Sequence, residues 1–446
     1  MEVVKSPRAV DLVIHARYVV PVEPAGVLER HALVVDGGRI VALAPSAGVD
    51  AAYRARETVE LASHVLMPGL VNTHAHSAMT LLRGVADDLP LMEWLQGHIW
   101  PLEAQLIGPE FVADGVELAI AEMLRGGTTC CNENYFFPDV QAATYKRHGF
   151  RARVGLPIID FPSAWARSDD EYFDRATEVH DQWRTDPLVA TAFAPHAPYT
   201  VSDGSFERIR MLSDQLDLPV HCHVHETAHE VAESQQKFGQ RPLARMDRLG
   251  LVNDRLIAVH MTQLTDAEIA LCAERGVSVA HCAESNLKLA SGFCPVAKLH
   301  RAGVNVAVGT DGAASNNDLD MFGEMRSAAL LAKGVAGDAS AFDAAAALRA
   351  ATLGGAKALG FDHLVGSIEP GKQADLVCVD LGQIETQPLH HVISQLAYAC
   401  GRQHVSDVWI AGEAKLREQV LVDMDPAALV ANARQWRQRI AVLKGA

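Results

Sequence analysis

The chain has 446 residues, with 39 Lys and Arg against 55 Asp and Glu, which gives a formal net charge of −16 when histidines are counted as neutral. Such an acidic chain is not expected to hold a nucleic-acid polymer or an anionic membrane by electrostatic attraction. Hydrophobic residues make up 49% and charged residues 21%, so the composition indicates a folded globular protein rather than a disordered one. The 20 histidines are the one unusual feature of the composition.

The eight cysteines include no C-x-x-C pair and follow no regular spacing. In a chain of this length they are expected to be small hydrophobic residues in a reducing compartment. Residues 1–11 contain charges and Pro7 rather than the apolar run of a signal peptide, and no uninterrupted apolar stretch is long enough for a transmembrane helix. We therefore expect a soluble, cytoplasmic protein.

Short alternating strands are predicted at both ends of the chain. In the N-terminal part, Asp36-Gly37-Gly38 separates two apolar runs, which is a signal for a β-hairpin. The same alternation returns in residues 374–379 and 407–411. We predict that residues 1–66 and 362–446 together form one small β-sandwich domain, with a terminal helix at the end of the second segment.

The middle of the chain, residues 67–361, alternates short apolar strands with helical stretches, and an Ala-rich helical stretch over 341–359 ends it at Gly360. Eight strands with helix-sized connections are what a (β/α)8 TIM barrel needs. A doubly wound open sheet shows the same alternation, but no G-x-G-x-x-G or Walker-type loop favours it. The fold class is therefore α/β, a TIM barrel with a second, smaller domain. The candidate barrel strands are residues 69–73, 128–132, 152–158, 188–193, 219–223, 256–260, 277–280 and 304–308.

Two of these strands end in closely spaced histidines. His74 and His76 close the first strand, and residues two apart on a strand face the same way, so both imidazoles can reach one point. The fifth strand carries His221, His223 and His225, which share one face by the same parity. Spacing does not choose among these three, and His221 and His225 fit the description of ordinary barrel-core histidines. The pattern predicts a metal site at the strand ends.

The remaining candidates end the last three strands. His260 and His281 close the sixth and seventh, where each is either a polar core residue or a site residue. Asp311 follows the eighth in Gly309-Thr310-Asp311-Gly312. In a closed barrel the first and eighth strands are neighbours, so the histidines of the first strand can meet Asp311. Three imidazoles and one carboxylate suit Zn²⁺, and Fe²⁺ or Mn²⁺ in principle.

Several segments together resemble the amidohydrolase superfamily. Within it they are most similar to the deaminase and chlorohydrolase branch, and the closest match is the 5-methylthioadenosine/S-adenosylhomocysteine deaminase family. The resemblance covers essentially the whole chain, including the segment 366–376 near the C-terminus. Its segments are residues 67–76 (MPGLVNTHAH), 223–226 (HVHE), 285–292 (SNLKLASG) and 309–312 (GTDG).

The resemblance implies roles for individual residues. It makes His223 the metal ligand of the fifth strand, beside His74, His76 and Asp311, and Glu226 the acid/base of an H-x-x-E unit. It places His260 beside the metal-bound water. The fourth strand ends without the Lys that bridges two metals in dinuclear members, so one metal per subunit is expected.

The resemblance also implies an adenine-nucleoside substrate. The positions that match the family's substrate contacts are Trp94, Glu103 and His196, with Ser315 a weaker match, and Glu226 and Asp311 also contact substrate. Where some members place arginines for the amino-acid tail of S-adenosylhomocysteine, this chain has only Arg153 and Arg167 nearby. That difference favours 5′-methylthioadenosine or adenosine. Barrel proteins of the family that this chain resembles are often dimers or larger assemblies, so a homo-oligomer is expected.

The expected reaction is hydrolytic deamination to the inosine analogue and ammonia. Glu226 would give a proton to N1 of the ring, Asp311 would take a proton from the attacking water and pass it toward ammonia, and His260 would orient the attacking oxygen. Two alternatives stay open: a deaminase or chlorohydrolase of another heterocycle, such as guanine or an s-triazine, and a metal-free binding protein on the same scaffold.

Overall fold

Eight parallel strands, in strict chain order, form the central sheet of the computed structural model, which describes residues 7–444. All eight predicted barrel strands are present, and each end lies within two residues of its predicted position. The strands of this sheet are β5 Leu70–Ala75, β6 Thr128–Glu133, β7 Arg151–Ile158, β8 Val189–Pro195, β9 Val220–Val224, β10 Leu256–His260, β11 Ser278–His281 and β12 Asn305–Val308.

The first and last strands of this sheet close the barrel through specific hydrogen bonds. The Asp311 amide donates to the His74 carbonyl at 2.9 Å, and the Thr73 hydroxyl donates to the Val308 carbonyl at 2.8 Å. The approach is close enough to require glycine at position 309, where a Cβ atom would lie 2.6 Å from the His74 nitrogen. The prediction that the first and eighth strands meet is confirmed.

Buried side chains alternate between the inside and the outside of the barrel. Ile257 and Val259 of β10 belong to a buried cluster with Val71 of β5. Because β5 and β10 are not neighbours in the sheet, this cluster fills the interior. Leu256 and Ala258, the alternate residues of β10, belong to the larger core. This period of two is the pattern of a strand with both faces buried.

Helices surround the barrel, and several of them begin at side-chain caps. The Thr265 hydroxyl accepts from the Glu268 amide while the Glu268 carboxylate accepts from the Thr265 amide, which is a capping box. Residues 91–106 form one continuous helix whose middle, Leu95–Ile99, has π-helical hydrogen bonding. The helices are α1 Val49–Ala52, α2 Leu91–Trp94, α3 Trp100–Leu106, α4 Pro109–Arg125, α5 Pro138–Arg147, α6 Asp169–Trp183, α7 Asp203–Leu216, α8 Ala228–Phe238, α9 Pro242–Arg248, α10 Asp266–Arg275, α11 Ala283–Lys288, α12 Val296–Arg301, α13 Met321–Ala336, α14 Ala344–Ala350, α15 Leu353–Ala358, α16 Val392–Tyr398 and α17 Pro426–Leu443, with short 3₁₀ helices at Ser77–Leu82, Ile384–Thr386 and Arg402–His404.

The helical stretch predicted over 341–359 is two helices, α14 and α15, rather than one. Thr352 separates them with φ −128° and ψ −97°, outside the helical region. Its hydroxyl donates to the Leu348 carbonyl at 2.7 Å. A hydroxyl that bonds the preceding turn competes with helix continuation.

The second sheet is built from both ends of the chain, as predicted. Its eight strands are mixed, and β4 (Tyr53–Pro68) joins the two halves because it pairs in parallel with β1 (Arg8–Val19) and antiparallel with β13 (Leu376–Asp380). The two-residue turn Gly37-Gly38 connects β2 and β3, with φ of 58° and 73°. The domain boundaries at residues 66 and 361 stay a prediction. The strands are β1 Arg8–Val19, β2 Leu28–Asp36, β3 Arg39–Pro45, β4 Tyr53–Pro68, β13 Leu376–Asp380, β14 Val405–Ile410, β15 Glu413–Arg417 and β16 Val420–Leu421.

A buried ion pair ties the barrel to the C-terminal half of this sheet. The Arg151 guanidinium on β7 donates to both carboxylate oxygens of Asp375, at 2.6 and 3.0 Å, and both side chains are about 1% exposed. Asp375 in turn accepts from the Ala411 amide. The pair fixes the start of β13 against the barrel.

All eight cysteines are buried and none is paired. Among residues 7–444, no helix combines the length and the apolar character needed to cross a membrane.

Candidate active site

Four predicted metal ligands come together at the carboxyl ends of the barrel strands. One ligand atom from each of His74, His76, His223 and Asp311 lies within 4.8 Å of the others. These four residues are called the metal cluster below. His74 Nε2 is 3.1 Å and His76 Nε2 3.2 Å from Asp311 Oδ1, and His223 Nε2 is 3.2 Å from His74 Nε2. Four tetrahedral ligands of Zn²⁺, each about 2.0–2.2 Å from the ion, would be roughly 3.3 Å apart.

Hydrogen bonds at the other ring nitrogens fix which nitrogen of each imidazole faces the cluster. His223 Nδ1 bonds the His196 carbonyl at 2.7 Å, and His76 Nδ1 bonds the Asn134 carbonyl. A carbonyl only accepts, so each Nδ1 carries a hydrogen, and Nε2 is the atom that each ring presents to the cluster. His74 Nδ1 is 2.9 Å from His221 Nε2. The donor set therefore suits a divalent cation.

Asp311 presents one carboxylate oxygen to the histidines and the other to two hydroxyls. Ser285 and Ser315 donate to Oδ2 at 2.6 and 2.8 Å. Burial acts to raise the pKa of Asp311, but the hydrogen bonds of His74 and His76 hold it well below its usual value. Asp311 is therefore ionised. Ser315 lines the cavity as expected, and its hydroxyl has a second acceptor in the Gly312 carbonyl at 3.0 Å.

Glu226 and His260 face each other beside the metal cluster. His260 Nε2 is 3.8 Å from Glu226 Oε2, and both side chains are buried. Burial raises the pKa of Glu226, which favours the neutral carboxylic acid. His260 Nδ1 bonds Asn286 Oδ1 at 2.9 Å, which directs the other ring nitrogen toward Glu226.

The backbone that carries Glu226 is held from both sides. The Glu230 carboxylate accepts from the amides of His225 and Glu226 at 3.0 and 2.7 Å. The Thr262 hydroxyl donates to the Glu226 carbonyl at 2.7 Å. These bonds stabilise the left-handed backbone of His225, whose φ is 55°.

The structure separates the other candidate histidines. His225 does not share a face with His221 and His223, because β9 ends at Val224 and the next residue turns away; His225 Nε2 instead accepts from the Leu243 amide at 3.0 Å. His221 is buried against His74 rather than being an unconnected core residue. His281 is buried, and neither of its ring nitrogens has a hydrogen-bond partner within the described residues.

A cavity of about 450 Å³ opens above the metal cluster. Its floor is formed by the metal cluster residues His76, His223 and Asp311 together with Glu226 and His260. Its upper wall is residues 91–107, which contain α2, the π-helical turns and α3; this segment is called the cap below. Phe161, in the loop after β7, also lines the cavity and packs edge-on against Trp100 of the cap. A cavity of this size accommodates a small-molecule ligand.

The predicted substrate contacts Trp94, Glu103 and His196 all line this cavity. Trp94 is buried, and its Nε1 has no hydrogen-bond partner within residues 7–444. Glu103 Oε1 accepts from the Tyr135 hydroxyl at 2.5 Å, and burial raises the pKa of Glu103 to about 7. Burial lowers the pKa of His196 to about 4, so its ring is neutral at physiological pH.

No Lys or Arg is among the described residues that line the cavity. Arg153 instead donates to the carbonyls of Leu359 and Thr191. Arg167 lies beyond the Phe161 loop and is not a lining residue either. The cavity wall therefore holds acidic residues and histidines but no Lys or Arg side chain among the described residues.

Sequence reasoning missed Tyr135 and Asn286 as site residues. Tyr135 follows β6 by two residues and bonds Glu103, whereas Asn286 lies on α11 and bonds His260. Asn286 stands within the 285–292 motif, which was the available signal. Tyr135 lies in no motif, so only the fold identifies its partner.

Comparisons with known proteins agree with this fold and this site. Residues 65–415 match the amidohydrolase family. A 5-methylthioadenosine/S-adenosylhomocysteine deaminase from Teredinibacter turnerae is 48% identical over 97% of this chain and 98% of its own length. The chain therefore belongs to the amidohydrolase family and, within it, to the 5-methylthioadenosine/S-adenosylhomocysteine deaminases.

Two solved structures extend the comparison. An adenosine deaminase from Xanthomonas campestris with bound zinc is 72% identical, with a TM-score of 0.97 over 98% of this chain and 100% of that one. A zinc complex of atrazine chlorohydrolase from Arthrobacter aurescens has a TM-score of 0.89 over 95% of this chain and 99% of that one. At 22% identity, the similarity to the chlorohydrolase structure supports the fold alone.

Proposed function

We propose that this protein is a zinc-dependent deaminase that converts an adenine nucleoside and water to the inosine analogue and ammonia. The observation that carries the proposal is the placement of Glu226, a buried carboxyl group with a raised pKa, in the floor of a nucleoside-sized cavity that the metal cluster also lines. The deaminase relatives and the zinc-bound adenosine deaminase at 72% identity support it. Cytoplasmic location and homo-oligomerisation stay predictions.

His74, His76, His223 and Asp311 would hold one Zn²⁺. The bound ion supplies an activated water, because Zn²⁺ lowers the pKa of water from 15.7 to roughly 7. Ser285 and Ser315 keep Asp311 ionised and oriented. The carbonyls of His196 and Asn134 keep two of the imidazoles in the tautomer that can bind a cation.

The protons of the reaction are moved by Glu226 and Asp311. Neutral Glu226 gives its proton to N1 of the purine, because the ring must accept electrons when C6 becomes tetrahedral. Asp311 accepts a proton from the attacking water and passes it to the departing amino group, which leaves as ammonia. The second proton of that water returns to Glu226 when the C6 hydroxyl becomes the carbonyl of the product, so both carboxyl groups regain their starting states. His260, held by Asn286, orients the attacking oxygen. Each positioned proton-transfer group typically contributes about 10²- to 10⁴-fold to the rate.

The cavity wall favours a neutral 5′ substituent. Glu103 is placed to accept hydrogen bonds from ribose hydroxyls, and Trp94 of the cap lines the same cavity. Because no Lys or Arg lines the cavity, a carboxylate on the substrate would find no cationic partner there. We infer that 5′-methylthioadenosine and adenosine are preferred over S-adenosylhomocysteine.

A substrate panel with ammonia detection tests this function. The zinc-loaded protein is assayed with 5′-methylthioadenosine, adenosine, S-adenosylhomocysteine, guanine and an aminotriazine. Rapid turnover of the first two, with a lower kcat/KM for S-adenosylhomocysteine, is the expected result. Turnover of guanine or the triazine alone would overturn the proposal in favour of another heterocycle. Less than half an equivalent of bound metal, with no gain on adding zinc, would favour a binding protein.

A further inference from the structure

The cap has very few polar contacts with the rest of the protein. Within residues 7–444, its hydrogen bonds run inside the segment or to Pro90 directly before it, with one exception. That exception is the bond from the Tyr135 hydroxyl to Glu103 Oε1 at 2.5 Å. No ion pair among the described residues involves the cap, so apolar packing and this single bond hold it in place.

The two residues of this bond come from different parts of the fold. Tyr135 follows β6 on the barrel wall and is 6% exposed, with Phe136 packed against its ring. Glu103 lies on α3, the last helix of the cap. An O–H to carboxylate bond of about 2.5–2.7 Å is a strong, charge-assisted one. The bond therefore joins the cap to the rigid barrel at the cavity itself.

We propose that Tyr135 is a positioning residue that fixes the cap over the cavity through Glu103, so that one carboxylate both recognises the ribose and anchors the cap. Tyr135 occupies Oε1 of Glu103, which leaves Oε2 for the ribose hydroxyls. The π-helical turns directly before α3 give the cap an irregular helix, a feature that is frequent at functional sites. The inference deepens the proposed deaminase function and rests on it for the identity of the ribose.

Hydrogen exchange of the cap amides tests the anchor without any catalytic measurement. Tyr135→Phe removes only the hydroxyl, and we expect exchange in residues 95–104 to become about 10-fold faster. Glu103→Gln keeps an acceptor oxygen, so its cap should exchange within about threefold of the wild-type rate. Tyr145→Phe is the matched control, because Tyr145 donates to the buried Glu133 at 2.9 Å away from the cap. It should leave cap exchange unchanged.

Steady-state kinetics test the coupling to ribose recognition. With adenosine, Tyr135→Phe is expected to raise KM by about 10-fold and to change kcat by less than about threefold. Glu103→Gln should raise KM although its cap stays protected, which separates recognition from anchoring. If Tyr135→Phe leaves cap exchange and KM at wild-type values, the inference is wrong. If the wild-type protein turns over no nucleoside, the proposed function fails, while the exchange experiment still decides whether Tyr135 anchors the cap.

Discussion

The floor and the cap of the cavity are held in very different ways. On the floor, Asp311 receives hydrogen bonds from Ser285 and Ser315, and the imidazoles of the metal cluster are fixed by carbonyls or by His221. The cap has apolar packing and one hydrogen bond to the barrel. Both regions face the same ligand space.

This contrast assigns different functions to the two regions of the cavity. Groups that stabilise a transition state must be held in place before the substrate arrives, since reorganising them would add to the barrier. The 5′ substituent differs among adenine nucleosides, so its recognition tolerates a cap whose position can adjust. We therefore expect changes on the floor to lower kcat or metal affinity, and changes on the cap to raise KM.

The largest effect is expected from Glu226→Gln on the floor. The amide keeps the shape of the side chain but cannot give a proton to N1, so kcat should fall by about 10²- to 10⁴-fold. Zinc content, measured by metal analysis, should stay at one equivalent because Glu226 is outside the metal cluster. A variant with near-wild-type kcat would show that another group is the proton donor.

A smaller effect is expected from Ser285→Ala. Its hydroxyl holds Asp311 Oδ2 at 2.6 Å, and loss of such a supporting bond typically weakens metal binding by about 10- to 100-fold. Competition with a zinc chelator measures the affinity. Ser234→Ala is the control, since that buried hydroxyl bonds the Gln240 carbonyl instead. Equal zinc affinity in both variants would contradict the role given to Ser285.

The smallest effect concerns pH and the cap. Burial raises the pKa of Glu103 to about 7, so the ionised carboxylate is abundant above that pH and is lost below it. If only the ionised form binds the ribose, KM for adenosine should be about tenfold higher near pH 6 than near pH 8. In Glu103→Gln the pH dependence of KM should disappear. A wild-type KM that does not change over this range would remove Glu103 from ribose recognition.

Much of the fold was predictable because it depends on local patterns. The apolar runs gave the eight barrel strands, and the H-x-H pair at the end of the first strand indicated a metal site. Strand parity failed at His225, where β9 has already ended and the backbone is left-handed. Choosing His223 over its neighbours therefore required the family resemblance.

Other parts of the site depend on tertiary partners that no local pattern encodes. Tyr135 and Glu103 are 32 residues apart, and only the packing of the cap on the barrel brings them together. The break at Thr352 inside an Ala-rich helical stretch was missed because helix propensity dominates that composition.

The pairing of β4 with β13 has a consequence for synthesis of the chain. Pro68 lies opposite Leu376, so this edge of the N-terminal sheet has no partner until roughly 300 further residues have been made. At about 5–20 residues per second, that interval lasts roughly 15–60 s on the ribosome. An unpaired strand edge is a site for association with other chains. During synthesis, β4 must therefore avoid such association until all the barrel strands have been made, and β13 then gives it its second partner.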